Sequence, residues 1–74
     1  MTLADFSTGM SGTIESVDPA DGSIIRLMVL GLVEGARVRL RHAAIGGDPL
    51  EVEVMGAAIS VRREQARSFR VSVD

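Results

Sequence analysis

The sequence predicts a small, mainly β domain: about five short strands curled into one barrel, with one short helix after the first strand and a helical turn before the last. Three observations lead there. Apolar residues alternate with charged ones over several short runs, which is the period of half-buried strands. Glycine and proline cut the chain into pieces too short for long helices. A chain of 74 residues also has room for one core rather than the two full sheets of a sandwich, so residues 1–74 read as a single domain.

The elements follow in order. Met1–Ser11 carries Leu3 and Phe6 and runs into Gly9 and Gly12. Thr13–Asp18 reads as the first strand, but its apolar members Ile14 and Val17 are three apart, so strict alternation fails and a bulge is expected. Asp18-Pro19 opens a turn. In Ser23–Leu30, Ile24, Leu27 and Met28 fall on one helical face, with Asp21 or Ser23 placed to cap the start and Gly31 placed as the left-handed residue beyond the end. Leu32–Gly35 is a tight turn. Val38 and Leu40 then alternate with Arg37, Arg39 and Arg41, and after the Gly46–Pro49 loop Val52 and Val54 alternate with Glu51 and Glu53. That hairpin has one apolar face and one charged face. Gly56 ends its second strand, Ile59–Val61 is a short strand, Arg62–Ser68 supplies one or two helical turns, and Phe69, Val71 and Val73 alternate along the last strand. The economical arrangement for such pieces is an SH3-like barrel.

Composition removes whole classes of chemistry. There is no cysteine, hence no disulfide, thiolate metal site, iron–sulfur cluster or thiol nucleophile. All eight basic residues are arginine, so neither a P-loop nor a Schiff base can be built. The net charge is −2 and the only aromatics are two phenylalanines, which suits neither phosphate neutralisation nor base stacking and argues against a nucleic-acid partner. No apolar run approaches the roughly 20 residues of a membrane span. The first residues form no signal peptide. We therefore expect a cytoplasmic protein that does not insert into the membrane.

The ordered series Arg26-Leu27, Leu30-Gly31-Leu32, Gly35 and the Arg37–Arg41 strand is similar to the centre of the ferrous iron transport protein A (FeoA) family. Gly47-Asp48-Pro49 with Val52 and Val54 resembles that family's next hairpin, and Ile59-Ser60-Val61-Arg62 with Glu64, Ala66 and Val71 its C-terminal signature; Leu3, Gly9 and Ile14 fit its opening. Val61 stands where leucine is usual. The resemblance implies an SH3-like barrel and a cytoplasmic accessory protein of bacterial ferrous iron uptake. Its implied partner is the FeoB membrane transporter, through that protein's cytosolic G-protein domain. The same barrel forms the C-terminal module of iron-dependent repressors, so a generic SH3-like interaction module is the alternative; no DNA-binding domain precedes this one, which favours a stand-alone protein.

Individual side chains add little chemistry. His42, the only histidine, reads as a polar residue at a strand end, because a metal or catalytic site needs further donors beside it. Asp48, Glu51 and Glu53 read as partners of Arg37, Arg39 and Arg41 across the hairpin rather than as a cation site. Gly46-Gly47 reads as a turn, not a phosphate loop. No catalytic residue, metal ligand or cofactor is expected, and the protein is not expected to be an enzyme. Leu30, Leu32 and Val33 are the aliphatics of interest. They either complete the core or line a groove for a partner segment or a second copy, with Arg26 as a charge at the rim.

Overall fold

The computed structural model describes residues 1–74. After a 3-10 turn at Leu3–Asp5 the order is β1 (Ser11–Val17), α1 (Gly22–Val29), β2 (Arg37–Ala43), β3 (Leu50–Val54), β4 (Ala57–Val61), α2 (Arg63–Ala66) and β5 (Phe69–Val73). All strand pairs are antiparallel, and the five strands form one sheet in the order β4-β3-β2-β1-β5. The expected small mainly-β fold is thus present. β4 and β5 are not hydrogen-bonded to each other, so the barrel is open at that seam, and α2 carries the chain across it.

The sheet curls because two of its three inner strands, β1 and β2, are bulged. The register between β1 and β5 shifts between Ile14 and Ser16, which leaves Glu15 as the extra residue; the register between β2 and β3 shifts between Leu40 and His42, which leaves Arg41. A bulge bends its strand and increases its twist. It also explains why Ile14 and Val17, three apart, both contact the core: the first is buried and the second packs against it. The same spacing recurs in Leu40 and Ala43. Gly12 lies inside β1 rather than before it, and a Cβ there would stand 2.1 Å from the Ser72 carbonyl oxygen. No side chain fits, so glycine is what lets β1 and β5 approach.

α1 is fixed at both ends by its own sequence. Asp21 is the N-cap: its Oδ1 accepts from Ser23 Oγ at 2.5 Å, Ser23 N at 2.8 Å and Ile24 N at 3.3 Å. At the other end Gly31 has φ +118°, its N–H donates to the Met28 carbonyl at 3.0 Å, and Leu32 N–H donates to the Leu27 carbonyl at 3.1 Å. These are the two bonds of a Schellman motif, which normally brings the residue after the glycine against the one five before it. Leu27 and Leu32 are accordingly both buried.

α2 is short and is held from outside. Its Arg63 N–H donates to Asp48 Oδ1 at 3.0 Å, and the Arg63 guanidinium donates to the Ala4 carbonyl at 2.6 Å and to the Gly47 carbonyl at 2.9 and 3.1 Å. One side chain thus ties the first turn, the β2–β3 loop and α2 together. Charged donors make such bonds about twice as strong as neutral ones.

Replacing Gly31 by valine is expected to lower stability by more than about 1 kcal/mol, because a β-branched residue fits the positive φ poorly and its Cβ would already touch Met55 Sδ at 3.7 Å and the Val54 methyls at 3.8 Å. An unchanged denaturant midpoint would show that the helix can end without that conformation. Asp21 gives a second prediction. The Ser23 hydroxyl, then the Ser23 N–H, hold its carboxyl below the ordinary value of 3.8. A depressed folded-state pKa contributes stability above the unfolded value and loses it as pH falls through the folded value. The midpoint of the native protein should therefore drop across this acid range more than that of Asp21→Asn, which keeps an acceptor oxygen but does not titrate; equal drops would show that the cap is not charge-dependent.

Candidate functional site

The Schellman turn sorts the aliphatics at the end of α1 into two groups. Because Leu32 folds back onto Leu27, it is 0% exposed. The expectation that Leu32 belongs to a contact surface is corrected: the backbone reversal at Gly31 points it into the core. Leu30 and Val33, on either side, remain 54% and 40% exposed, and Arg26, one helical turn before Leu30, is exposed. Of the residues singled out in the sequence, the structure leaves Arg26, Leu30 and Val33 available at this end of the helix.

Further residues join them that the sequence pattern did not single out. Val29 is 82% exposed and Ile25, one turn earlier, is half exposed, so α1 carries an outward apolar stripe besides its buried Ile24 and Leu27. Met55 occupies the tip of the β3–β4 hairpin with φ 52°, followed by Gly56 with φ 79°. Positive φ at both turn positions is the two-residue turn that matches strand twist. Met55 is 88% exposed, yet its Sδ lies 3.7 Å from where a Cβ of Gly31 would stand, so the hairpin tip sits beside the end of α1. The signal for Val29 was its place four residues after Ile25, off the core face; for Met55 there was none, because its neighbour is distant in sequence.

The turn that presents this surface is tied to the sheet. Gly35 N–H donates to the Ile14 carbonyl at 2.8 Å, Ala36 N–H to Val33 at 3.0 Å, and Ile14 N–H to Ala36 at 2.9 Å. Leu30 and Val33 are therefore carried on fixed backbone. Fully burying one such aliphatic contributes about 1.5–3 kcal/mol, which gives the patch a reason to be covered.

The charged hairpin face differs in kind. Arg41, the bulged residue, reaches both Glu51 at 3.9 Å and Glu53 at 4.0 Å, and His42 Nδ1 lies 3.1 Å from Glu51 Oε2. Arg37 turns instead to Asp74, with one bond at 3.0 Å and a second contact between the same groups. Arg39 faces Glu53 in the register without forming an ion pair. Asp48 is engaged at α2, so it does not join Glu51 and Glu53. No group of three or more His, Asp and Glu side chains is placed to hold a metal ion. The surface has two open clefts of about 300 Å³, one between the start of α1 and α2, the other beside Arg37 and Met55. No helix is long and apolar enough to cross a membrane.

With this geometry in place, comparison with known proteins decides the family. The FeoA domain model matches residues 1–73. The chain belongs to the FeoA domain family. A FeoA protein from Chlorobium tepidum superposes with a TM-score of 0.89 at 35% identity, over 99% of this chain and 70% of that one. A FeoA from Stenotrophomonas maltophilia, solved with zinc and described as an SH3 domain protein and a candidate ferrous iron transport activating factor, gives 0.84 at 33% identity over 97% and 89%. The T. acidophilum protein IdeR shares the fold, with a TM-score of 0.83 at 20% identity over 97% of this chain and 33% of its own. No curated protein matches.

Stability separates the two groups of aliphatics. Leu32→Ser should lower stability by about 2–5 kcal/mol, as a buried large-to-small change does, with a buried hydroxyl added. Leu30→Ser and Val33→Ser should each stay within about 1 kcal/mol. Denaturant midpoints for the three variants check this; similar losses at all three would mean that Leu30 and Val33 are core as well.

Proposed function

We propose that this FeoA-family chain is a cytoplasmic, non-enzymatic accessory protein of bacterial ferrous iron uptake, which engages the cytosolic G-protein domain of a FeoB-type transporter through Arg26, Val29, Leu30 and Val33. The observation that carries this reading is the match of the family over nearly the whole chain combined with an aliphatic surface on fixed backbone at the end of α1. The description of the Stenotrophomonas relative as a transport activating factor points the same way. The surface suits a protein partner. Its centre is aliphatic and its rim carries Arg26 and Glu34, both exposed, which is the composition of a small transient interface. The charged hairpin face is better matched to water, since its ion pairs are exposed and each is worth little.

A second reading, an SH3-like module related to those of metal-dependent repressors, draws on the shared fold with IdeR and with a manganese-dependent repressor, of which this chain matches 36%.

Titrating the labelled chain with the purified cytosolic domain of the transporter tests the first reading. Binding is expected, and Leu30→Ser combined with Val33→Ser should weaken it about tenfold or more, since about 1.4 kcal/mol corresponds to a factor of ten. Absence of binding at all concentrations would overturn the partner; unchanged binding by a folded double variant would overturn the surface.

A further inference from the structure

The two edges of the sheet are treated differently. β5 is covered on its outer side by the start of the chain: Thr2 bridges Arg70, and Val71 N–H donates to the Met1 carbonyl at 3.1 Å. β4 has no such cover. It pairs only with β3, and none of the backbone bonds outside the regular elements, nor any side-chain bond, reaches Ala57–Val61.

The register identifies which groups are left open. The two-residue turn at Met55-Gly56 is closed by Val54 and Ala57, the pair that exchanges hydrogen bonds in such hairpins. Alternation then makes Val52–Ile59 and Leu50–Val61 the other bonded pairs, with Glu53–Ala58 and Glu51–Ser60 non-bonded between them. The N–H and C=O groups of Ala58 and Ser60 therefore point away from β3, along the free edge. Sheet edges are normally protected against pairing by charge, proline, a bulge or a covering segment. Ala57-Ala58-Ile59-Ser60-Val61 has neither charge nor proline, and its pairing with β3 is unbroken by a bulge.

We propose that β4 is a strand-addition site for β4 of a second copy of this chain, paired antiparallel about Ile59. The edge is complementary to itself. With Ile59 opposite its counterpart, Ala58 faces Ser60 of the other copy and Ser60 faces its Ala58, so the outward backbone groups meet in two bonded pairs and four hydrogen bonds form. No like charges are brought face to face. The acids Glu51 and Glu53 lie one strand further back on each side, behind the small side chains of Ala58 and Ser60. On the opposite face the half-buried Ile59 of each copy gains an apolar neighbour at the axis. A second copy meets every requirement of the edge, whereas a foreign segment would need a matching uncharged stretch of its own. The contact is short, and its area falls below the roughly 1,200 Å² of stable interfaces, so the dimer is weak and concentration-dependent.

The test uses charge at the two open positions. Sedimentation equilibrium of the native protein up to millimolar concentration should show monomer and dimer in exchange. Hydrogen exchange should show protection of the Ala58 and Ser60 amides rising with concentration, while that of Ile59, already bonded to β3, changes little. The Ala58→Lys/Ser60→Lys variant sets lysine against lysine across the axis and should weaken self-association at least tenfold; Ala58→Glu/Ser60→Glu should do the same. An equimolar mixture of the two should recover a dimer, which a variant that had merely misfolded could not do. Leu30→Ser with Val33→Ser should leave self-association unchanged, separating this surface from the one proposed for the transporter. A native protein that stays monomeric at millimolar concentration, or lysine and glutamate variants that associate as the native chain does, would overturn the proposal. So would protection of Ala58 and Ser60 that appears only on adding the transporter domain, since the edge would then take a foreign strand.

Discussion

A sheet of five short strands can enclose a core only if it bends, and here the bend is set by one extra residue in each of two adjacent inner strands, β1 and β2. Glu15 in β1 and Arg41 in β2 interrupt the pairing next to Ile14 and Leu40, the residues that point deepest into the core from those strands. Without the extra residues Val17 and Ala43 would alternate to the outer face, and the two ends of the sheet would lose their purchase on the interior. The bend also decides surface chemistry. Arg41, released from the regular register, reaches two glutamates at once, while Arg39, held in it, pairs with neither.

Much of this was legible in local patterns. The alternation of Val38 and Leu40 with arginines, and of Val52 and Val54 with glutamates, locates the central hairpin without reference to anything else. Ile14 and Val17, three apart, announce the β1 bulge, and Gly31 announces the end of α1. The illegible parts depend on contacts between residues far apart in sequence. Gly12 looked like punctuation before a strand, but its role is set by the Ser72 carbonyl. Arg63 looked like one arginine among eight, but its bonds go to Ala4 and Gly47. Leu32 is the instructive miss. Its burial follows from the helix-ending motif that the sequence did reveal, because that motif pairs the residue after the glycine with one inside the helix. The sequence pattern left Leu32 either in the core or in a groove, and the backbone reversal at Gly31 decides for the core.

The molecule has no cysteine to form a disulfide, and it leaves almost nothing unsatisfied. No buried side-chain nitrogen or oxygen lacks a partner, and no polar residue is buried. The interior is entirely apolar, so the energetics of the fold rest on packing. In so small a domain nearly every aliphatic is needed inside. Eight large apolar side chains are nevertheless exposed. Met1, Ile45 and Val73 belong to the chain ends and the β2–β3 loop, whereas Ile25, Val29, Leu30, Val33 and Met55 belong to α1, the turn that ends it and the tip of the β3–β4 hairpin.

This placement connects the two surfaces of the molecule. Met55 belongs to the hairpin whose second strand is the open edge, and its sulfur lies beside Gly31, where α1 ends. The hairpin is joined to the rest of the sheet on one side only, through β3 and β2, so its outer strand is among the least constrained parts of the sheet. A strand added to β4 would bond the groups of Ala58 and Ser60 that now face water, and would hold the hairpin from both sides. Met55 would then be carried at the tip of a hairpin paired on both sides, beside Gly31. The entropy lost in fixing that side chain against a partner would be met in part by the first pairing. The coupling needs no conformational change in α1, because the Schellman turn and the bonds from Gly35 and Ala36 already hold Leu30 and Val33 in place.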